Sequence, residues 1–135
     1  MSDSTVYVLG GTQTDFAVNY ARTQRDIFDL FKDVTEGALS ATKLDAHEIE
    51  TAHIGNFVGE LFTGQGQLGG FLGHVHPDLA GVPASRHEAA CASGSIALLA
   101  ASAEIEAKRY DVALVLGLEM MRNVPGQTAA EYLGA

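Results

Sequence analysis

The chain has 135 residues, of which 47% are hydrophobic and 19% charged, and its 17 acidic and 8 basic residues give a formal net charge of −9. A chain of this length hides roughly two-thirds of its unfolded surface, so one domain with a sizeable core is expected. The composition argues against a disordered chain, a membrane span and a nucleic-acid partner.

The N-terminal sequence MSDSTVYVLGG lacks the basic stretch and long apolar segment of a secretory signal. Cys91 is the only cysteine, so the chain forms no internal disulfide. Together these features predict a soluble protein of the cytoplasm.

The first half of the chain reads as strand, helix, strand. Residues 5–9, TVYVL, are β-branched and aromatic and run into Gly10-Gly11, which predicts a buried strand and a tight turn. Thr23-Gln24-Arg25-Asp26 matches a capping box, and the apolar spacing that follows predicts an amphipathic helix of about four turns. Residues 44–50 are a polar connector, and the alternation in residues 51–58 predicts a second strand.

The second half continues the alternation after a glycine-dense stretch that permits sharp turns. A short helix is predicted around residues 65–73, a third strand over residues 83–90 and a fourth over residues 111–118. Between the last two, residues 93–109 predict a helix that is buried on all sides at its start. The order β-α-β-α-β-α-β indicates an α/β fold.

Cys91 is the leading candidate for chemistry, although an arbitrary free cysteine is most often a packed, inert thiol. It falls at a predicted strand-to-helix junction, where unpaired backbone N–H groups and the helix dipole favour a thiolate. The small residues that follow it would let a bulky acyl group approach. The spacing leaves the catalytic and the structural interpretation about equally supported.

Other motifs carry less weight. His87 lies four residues before Cys91, and an extended backbone would separate the two side chains by about 13 Å, so His87 is interpreted as structural. His74, His76, His87 and Cys91 lack the paired spacing of zinc ligands, and no metal is expected. Residues 64–69 match G-x-G-x-x-G without a clean preceding strand or a long following helix, so a dinucleotide site is not expected.

Three segments together resemble the thiolase family across the whole chain. These are the opening segment VYVLGGTQTDF, the nucleophile signature Glu88-Ala89-Ala90-Cys91-Ala92-Ser93-Gly94, and VLGLEMMRNVPG in residues 115–126. The glutamate-bearing signature is most similar to the sterol-carrier-protein-like and archaeal-type branch. Asp15 stands where many members carry proline.

The resemblance implies a thiolase-like fold and ping-pong acyl transfer at Cys91, with coenzyme A thioesters as substrates and no other cofactor. Family members also carry a Gly-His-Pro histidine and a second cysteine, and this sequence has neither. Residues 1–135 therefore look like an N-terminal thiolase-like domain that stops before its last strand. A homo-oligomer and a complementary chain or segment are expected partners. A ketoacyl synthase and a non-catalytic thiolase-like module remain alternatives.

Overall fold

The computed structural model describes residues 5–134, which form a three-stranded parallel sheet with helices on both faces. The strand order is β2-β1-β3, so β2 and β3 each present an edge without a partner strand in the described part of the chain. The elements are α1 (Ile27–Thr42), β1 (Thr51–Gly55), α2 (Gly59–Thr63), α3 (Leu72–Val75), β2 (Ala84–His87), α4 (Ser93–Glu106), β3 (Ala113–Gly117) and α5 (Gly126–Tyr132). The predicted α/β class is confirmed.

Helix α1 covers one face of the sheet. It begins at Asp26, whose carboxylate accepts hydrogen bonds from the N–H groups of Phe28 and Asp29, while the Asp29 carboxylate accepts from the Asp26 N–H. The cap expected at Thr23 was therefore wrong, because residues 21–23 form a separate 3-10 turn before the helix. The inner face of α1 joins an apolar core with the strands, including Phe31, Ala52, Ile54, Leu114 and Leu116.

Helix α4 covers the opposite face, and only one stripe of it is buried: Ser93, Ala97 and Ala101. The expectation that its start is buried on all sides was wrong, since Ile96, Leu98 and Leu99 are 40%, 46% and 64% exposed. The helix has the sheet beneath it and no second layer above it in residues 5–134. Small side chains on the buried stripe bring its backbone close to the strands.

The strand expected at residues 5–9 is not formed, so the described sheet has three strands instead of four. Tyr7, Val8 and Leu9 are 73%, 81% and 66% exposed. Residues 6–14 instead line one side of a 420 Å³ cleft whose other side includes β3. Residues of high strand propensity favour a strand where it pairs with a neighbour and where another layer covers it. This segment has neither a partner strand nor a covering layer in the described structure.

The glycine-dense stretch contains short helical turns, as its composition allows. It holds α2, a 3-10 turn at Leu68–Phe71 that leads into α3, and another at Pro77–Leu79. The short helix expected around residues 65–73 therefore exists in two shorter pieces. Within residues 5–134, no helix combines the length and the apolar character needed to cross a membrane.

Candidate active site around Cys91

Cys91 lies in a 3-10 turn, Ala90–Ala92, that leads directly into α4. Strand β2 ends four residues before it, so the predicted strand-turn-helix position is confirmed. The cysteine is exposed and free. The N–H groups in the first turn of a helix have no partner within the helix, and they lie immediately after the thiol in the chain.

The backbone of this turn adopts an unusual conformation. Ala90 has a φ of 49°, in the left-handed region that residues with a Cβ seldom adopt. Ser93, which is 5% exposed, secures it: its Oγ donates to the Ala90 carbonyl at 2.7 Å and accepts from the Ala89 N–H at 2.9 Å. The Glu88 carboxylate also accepts from the Ala90 N–H at 2.9 Å. Neighbouring side chains thus hold the turn that carries Cys91.

Two glycines bring this turn close to the sheet. A Cβ added at Gly55, the last residue of β1, would lie 2.6 Å from the backbone of Gly94 and 2.7 Å from the Ser93 carbonyl carbon. The start of α4 therefore rests on the carboxyl end of the central strand. In open parallel sheets, ligands bind beyond the carboxyl ends of the strands, so Cys91 occupies a suitable place.

The loops after β1 and β3 are joined beside this position. Asn56 donates to the Leu118 carbonyl at 2.9 Å and to Glu119 at 3.1 Å, and Glu119 accepts from the Phe57 N–H at 2.7 Å. Glu119, which belongs to the Gly-Leu-Glu-Met-Met element, therefore fixes the two strand ends. The role of Asn56 was not foreseen, because it depends on which strands are neighbours.

His87 contacts His53, a residue that the sequence alone could not place. The two rings are stacked with centroids 5.1 Å apart, and His53 Nδ1 lies 2.9 Å from His87 Nε2. The other ring nitrogen of His53 lies 2.9 Å from a Glu104 carboxylate oxygen. Burial lowers the pKa of His87, and the neighbouring His53 ring lowers it further. His87 thus belongs to a polar cluster beneath α4.

Burial alone would raise the pKa of Glu104. The hydrogen bonds from His53 and Thr51 outweigh that effect, so the pKa of this carboxyl is lowered. Glu104 is therefore an anion near neutral pH. A signal for its position exists in the sequence, because Glu104 continues the helical stripe of Ala97 and Ala101 that faces the sheet.

The remaining sequence motifs do not assemble into a site. No group of three or more His, Cys, Asp or Glu residues within residues 5–134 is arranged to hold a metal ion. His76 accepts a hydrogen bond from the Asp78 N–H at the surface. Residues 64–69 run from the end of α2 into a 3-10 turn, so they form no strand-to-helix loop that could cradle a pyrophosphate.

Comparison with known proteins matches nearly the whole of the described chain. The family model described as "Thiolase, N-terminal domain" matches residues 6–133. Acetyl-CoA acetyltransferase of Methanocaldococcus jannaschii is 34% identical over 125 residues, which are 93% of this chain and 31% of that protein. The acetyl-CoA acetyltransferase of Methanothermobacter thermautotrophicus is 29% identical over 93% of this chain and 32% of its own length.

A third relative, non-specific lipid-transfer protein-like 2 of Caenorhabditis elegans, is 31% identical over 86% of this chain and 27% of its own length. The chain thus spans about a third of the curated relatives it matches. Because the family model covers nearly every described residue, the chain belongs to the thiolase family, to whose N-terminal domain it is similar.

Proposed function

We propose that this chain supplies the nucleophile of a thiolase-type acyltransferase, with Cys91 forming an acyl-enzyme. The observation that carries the proposal is an exposed cysteine on a braced turn at the start of α4. The names of the two archaeal relatives support acetyl transfer to or from coenzyme A. The substrates would be acyl-CoA thioesters and coenzyme A.

In the degradative direction, the Cys91 thiolate adds to the 3-oxo carbon of a 3-oxoacyl-CoA. The bond between C2 and C3 then breaks, and acetyl-CoA leaves as a carbanion that takes up a proton. The thiolate of a second coenzyme A adds to the acyl group on Cys91 and releases it as acyl-CoA, which restores the Cys91 thiolate. The reverse sequence is a Claisen condensation.

We further propose that the chain acts as part of a larger catalytic unit in the cytoplasm. The proton transfers need groups besides Cys91, and the sequence lacks both the Gly-His-Pro motif and the second cysteine that the family resemblance implies. A complementary chain or segment would provide them and would cover the exposed Ile96, Leu98 and Leu99 of α4. The open edges of β2 and β3 favour a homo-oligomer.

Alkylation tests the nucleophile directly, because Cys91 is the only thiol of the chain. We expect iodoacetamide near neutral pH to label Cys91 about tenfold faster than an ordinary exposed cysteine. The matched control is Ser40→Cys in a Cys91→Ser background, which places a lone exposed thiol far from the start of its helix. Equal rates would favour the non-catalytic module.

An activity assay separates the remaining alternatives. The chain alone should leave acetoacetyl-CoA uncleaved, whereas its complete assembly should cleave it and should lose that activity with Cys91→Ser. Full activity of the chain alone would contradict the proposed division of the catalytic unit. An assembly that requires a malonyl thioester would indicate a ketoacyl synthase instead.

A further inference from the structure

A polar cluster centred on the buried His53 joins the three elements that surround the Cys91 turn. His53, in the middle of β1, is 4% exposed and contacts His87 at the end of β2 and Glu104 on α4. Thr51 donates to the same Glu104 oxygen at 3.2 Å, and Ser85 Oγ lies 2.9 Å from His87 Nε2. None of these five side chains is used by the proposed acyl transfer.

We infer that His53 is a positioning residue for Cys91. It ties β2 to α4 through its contacts with His87 and Glu104, and so holds the turn between these two elements. Strand β2 ends at His87 and α4 begins at Ser93, so Cys91 lies on the short connection between two elements that both hydrogen-bond to one ring. This inference rests on the proposed function for its catalytic meaning, and its structural part stands independently.

The partners of His53 determine which of its ring nitrogens carries a hydrogen. An ionised carboxylate only accepts hydrogen bonds, so His53 Nε2 carries the hydrogen that Glu104 receives. In a neutral ring, His53 Nδ1 is then an acceptor, with His87 Nε2 at 2.9 Å and the Ser85 hydroxyl at 3.4 Å as the neighbouring donors. Each ring nitrogen of His53 thus has a partner on a different element, and that fixes the orientation of the ring.

The cluster is suited to positioning because its hydrogen bonds are directional and its central ring, His53, is 4% exposed. Hydrogen bonds to a charged partner are stronger than those between neutral groups, and the burial of His53 limits the access of water to its ring nitrogens. An apolar residue at position 53 could fill the same space but could not bond to both β2 and α4. The identity of His53 therefore matters beyond the volume that it fills.

Local hydrogen exchange tests the positioning role. We expect His53→Phe to speed amide exchange of residues 88–94 at least about tenfold, with little change in α1. Glu104→Gln, which removes the charge but keeps an acceptor, should give a smaller increase at the same residues. Glu106→Gln is the matched control, since Glu106 is exposed on the same helix and outside the cluster.

Two results would overturn the inference. One is exchange at residues 88–94 that is the same in Glu104→Gln as in Glu106→Gln. The other is an increase spread evenly over α1 as well, which would show a contribution to overall stability and none to position. If His53→Phe fails to fold, Glu104→Gln alone decides between these outcomes.

Alkylation of Cys91 separates the failure of this inference from that of the proposed function. In folded Glu104→Gln, we expect slower labelling of Cys91 than in Glu106→Gln. Rapid labelling in both variants would leave the nucleophile in place and refute the positioning role. Slow labelling already in the unaltered chain would refute the proposed function, while the exchange data would still report on position.

Discussion

Ser93 is the residue that closes the Cys91 turn, because its single hydroxyl bonds to the backbone on both sides of Ala90. Ala90 adopts a positive φ that costs free energy, and such a conformation persists only where its surroundings hold it. Cys91 and the side chain that braces its turn are thus two residues apart in the chain.

Replacing this brace gives the first prediction. Ser93→Ala should lower the free energy of unfolding by about 1–2 kcal/mol. It should also slow alkylation of Cys91 several-fold, because the turn can relax away from its braced conformation. Ser95→Ala is the control, since Ser95 is exposed in the same first turn of α4. Equal labelling rates in the two variants would show that the hydroxyl does not hold the turn.

At the scale of elements, the close approach of α4 to the sheet leaves room for a side chain at one of the two contacting glycines and none at the other. The Cβ position of Gly55 meets the backbone of Ser93 and Gly94, which cannot move aside without moving the helix. The Cβ position of Gly94 has open space around it, although the two glycines are in contact. The same substitution should therefore have opposite effects at the two positions.

We expect Gly55→Ala to destabilise the chain by about 1–3 kcal/mol, since it overpacks a site lined by backbone. Gly94→Ala should be neutral or stabilising by up to about 1 kcal/mol, because alanine favours a helix more than glycine does. Urea unfolding of both variants measures the difference. A Gly55→Ala chain as stable as Gly94→Ala would contradict the described packing.

The elements also show how far the sequence can lead. Strands β1 and β3 and helices α1 and α4 were predicted from composition and periodicity, since those patterns reflect burial along the chain itself. Strand β2 has poor strand formers and is partly exposed, and it was predicted from its place before α4. Residues 5–9 carry the same strand signal but form no strand, because pairing depends on a neighbour that local sequence does not specify. The position of Cys91 was predictable since it follows from chain order alone.

The contacts of His53, Asn56 and Glu104 were not predictable in the same way. His53 meets His87 across 34 positions and Glu104 across 51, and these meetings depend on strand order and register. In the register of the sheet, His53 pairs with Ser85 and Gly55 with His87, which brings both histidines to one face. The one local sign of these contacts is Glu104, because a carboxylate on the sheet-facing stripe of a helix indicates a polar partner in the sheet.

For the whole molecule, four groups with lowered pKa values act in the same direction on acidification: His87, Asp33, Glu60 and Glu104. The pKa of His87 is lowered from 6.5, mainly by burial, so the unfolded chain binds a proton before the folded chain does. The pKa of Asp33 is lowered by its hydrogen bond with Arg25, and that of Glu60 by its hydrogen bond with Arg86. The pKa of Glu104 is lowered as well.

The stability contributed by a neutral His87 is present above pH 6.5 and is lost as the pH falls through its lowered folded pKa. The carboxylates contribute stability that is present above 4.5 and is lost at lower pH. We therefore expect the free energy of unfolding to fall twice on acidification. The first fall lies below pH 6.5 and comes from His87, and the second lies below pH 4.5 and comes from the carboxylates.

His87→Gln should remove the first loss and leave the second, because glutamine does not titrate. Urea unfolding at about pH 7 and about pH 5.5 measures the first loss as a difference within each variant, so any constant cost of the substitution cancels.

His47→Gln is the control, because His47 is an exposed histidine outside the cluster. If both variants lose as much stability as the unaltered chain over this interval, His87 is not the group responsible for the loss. If only His87→Gln resists acidification, the proton that weakens the fold binds at the residue where β2 ends, four positions before Cys91.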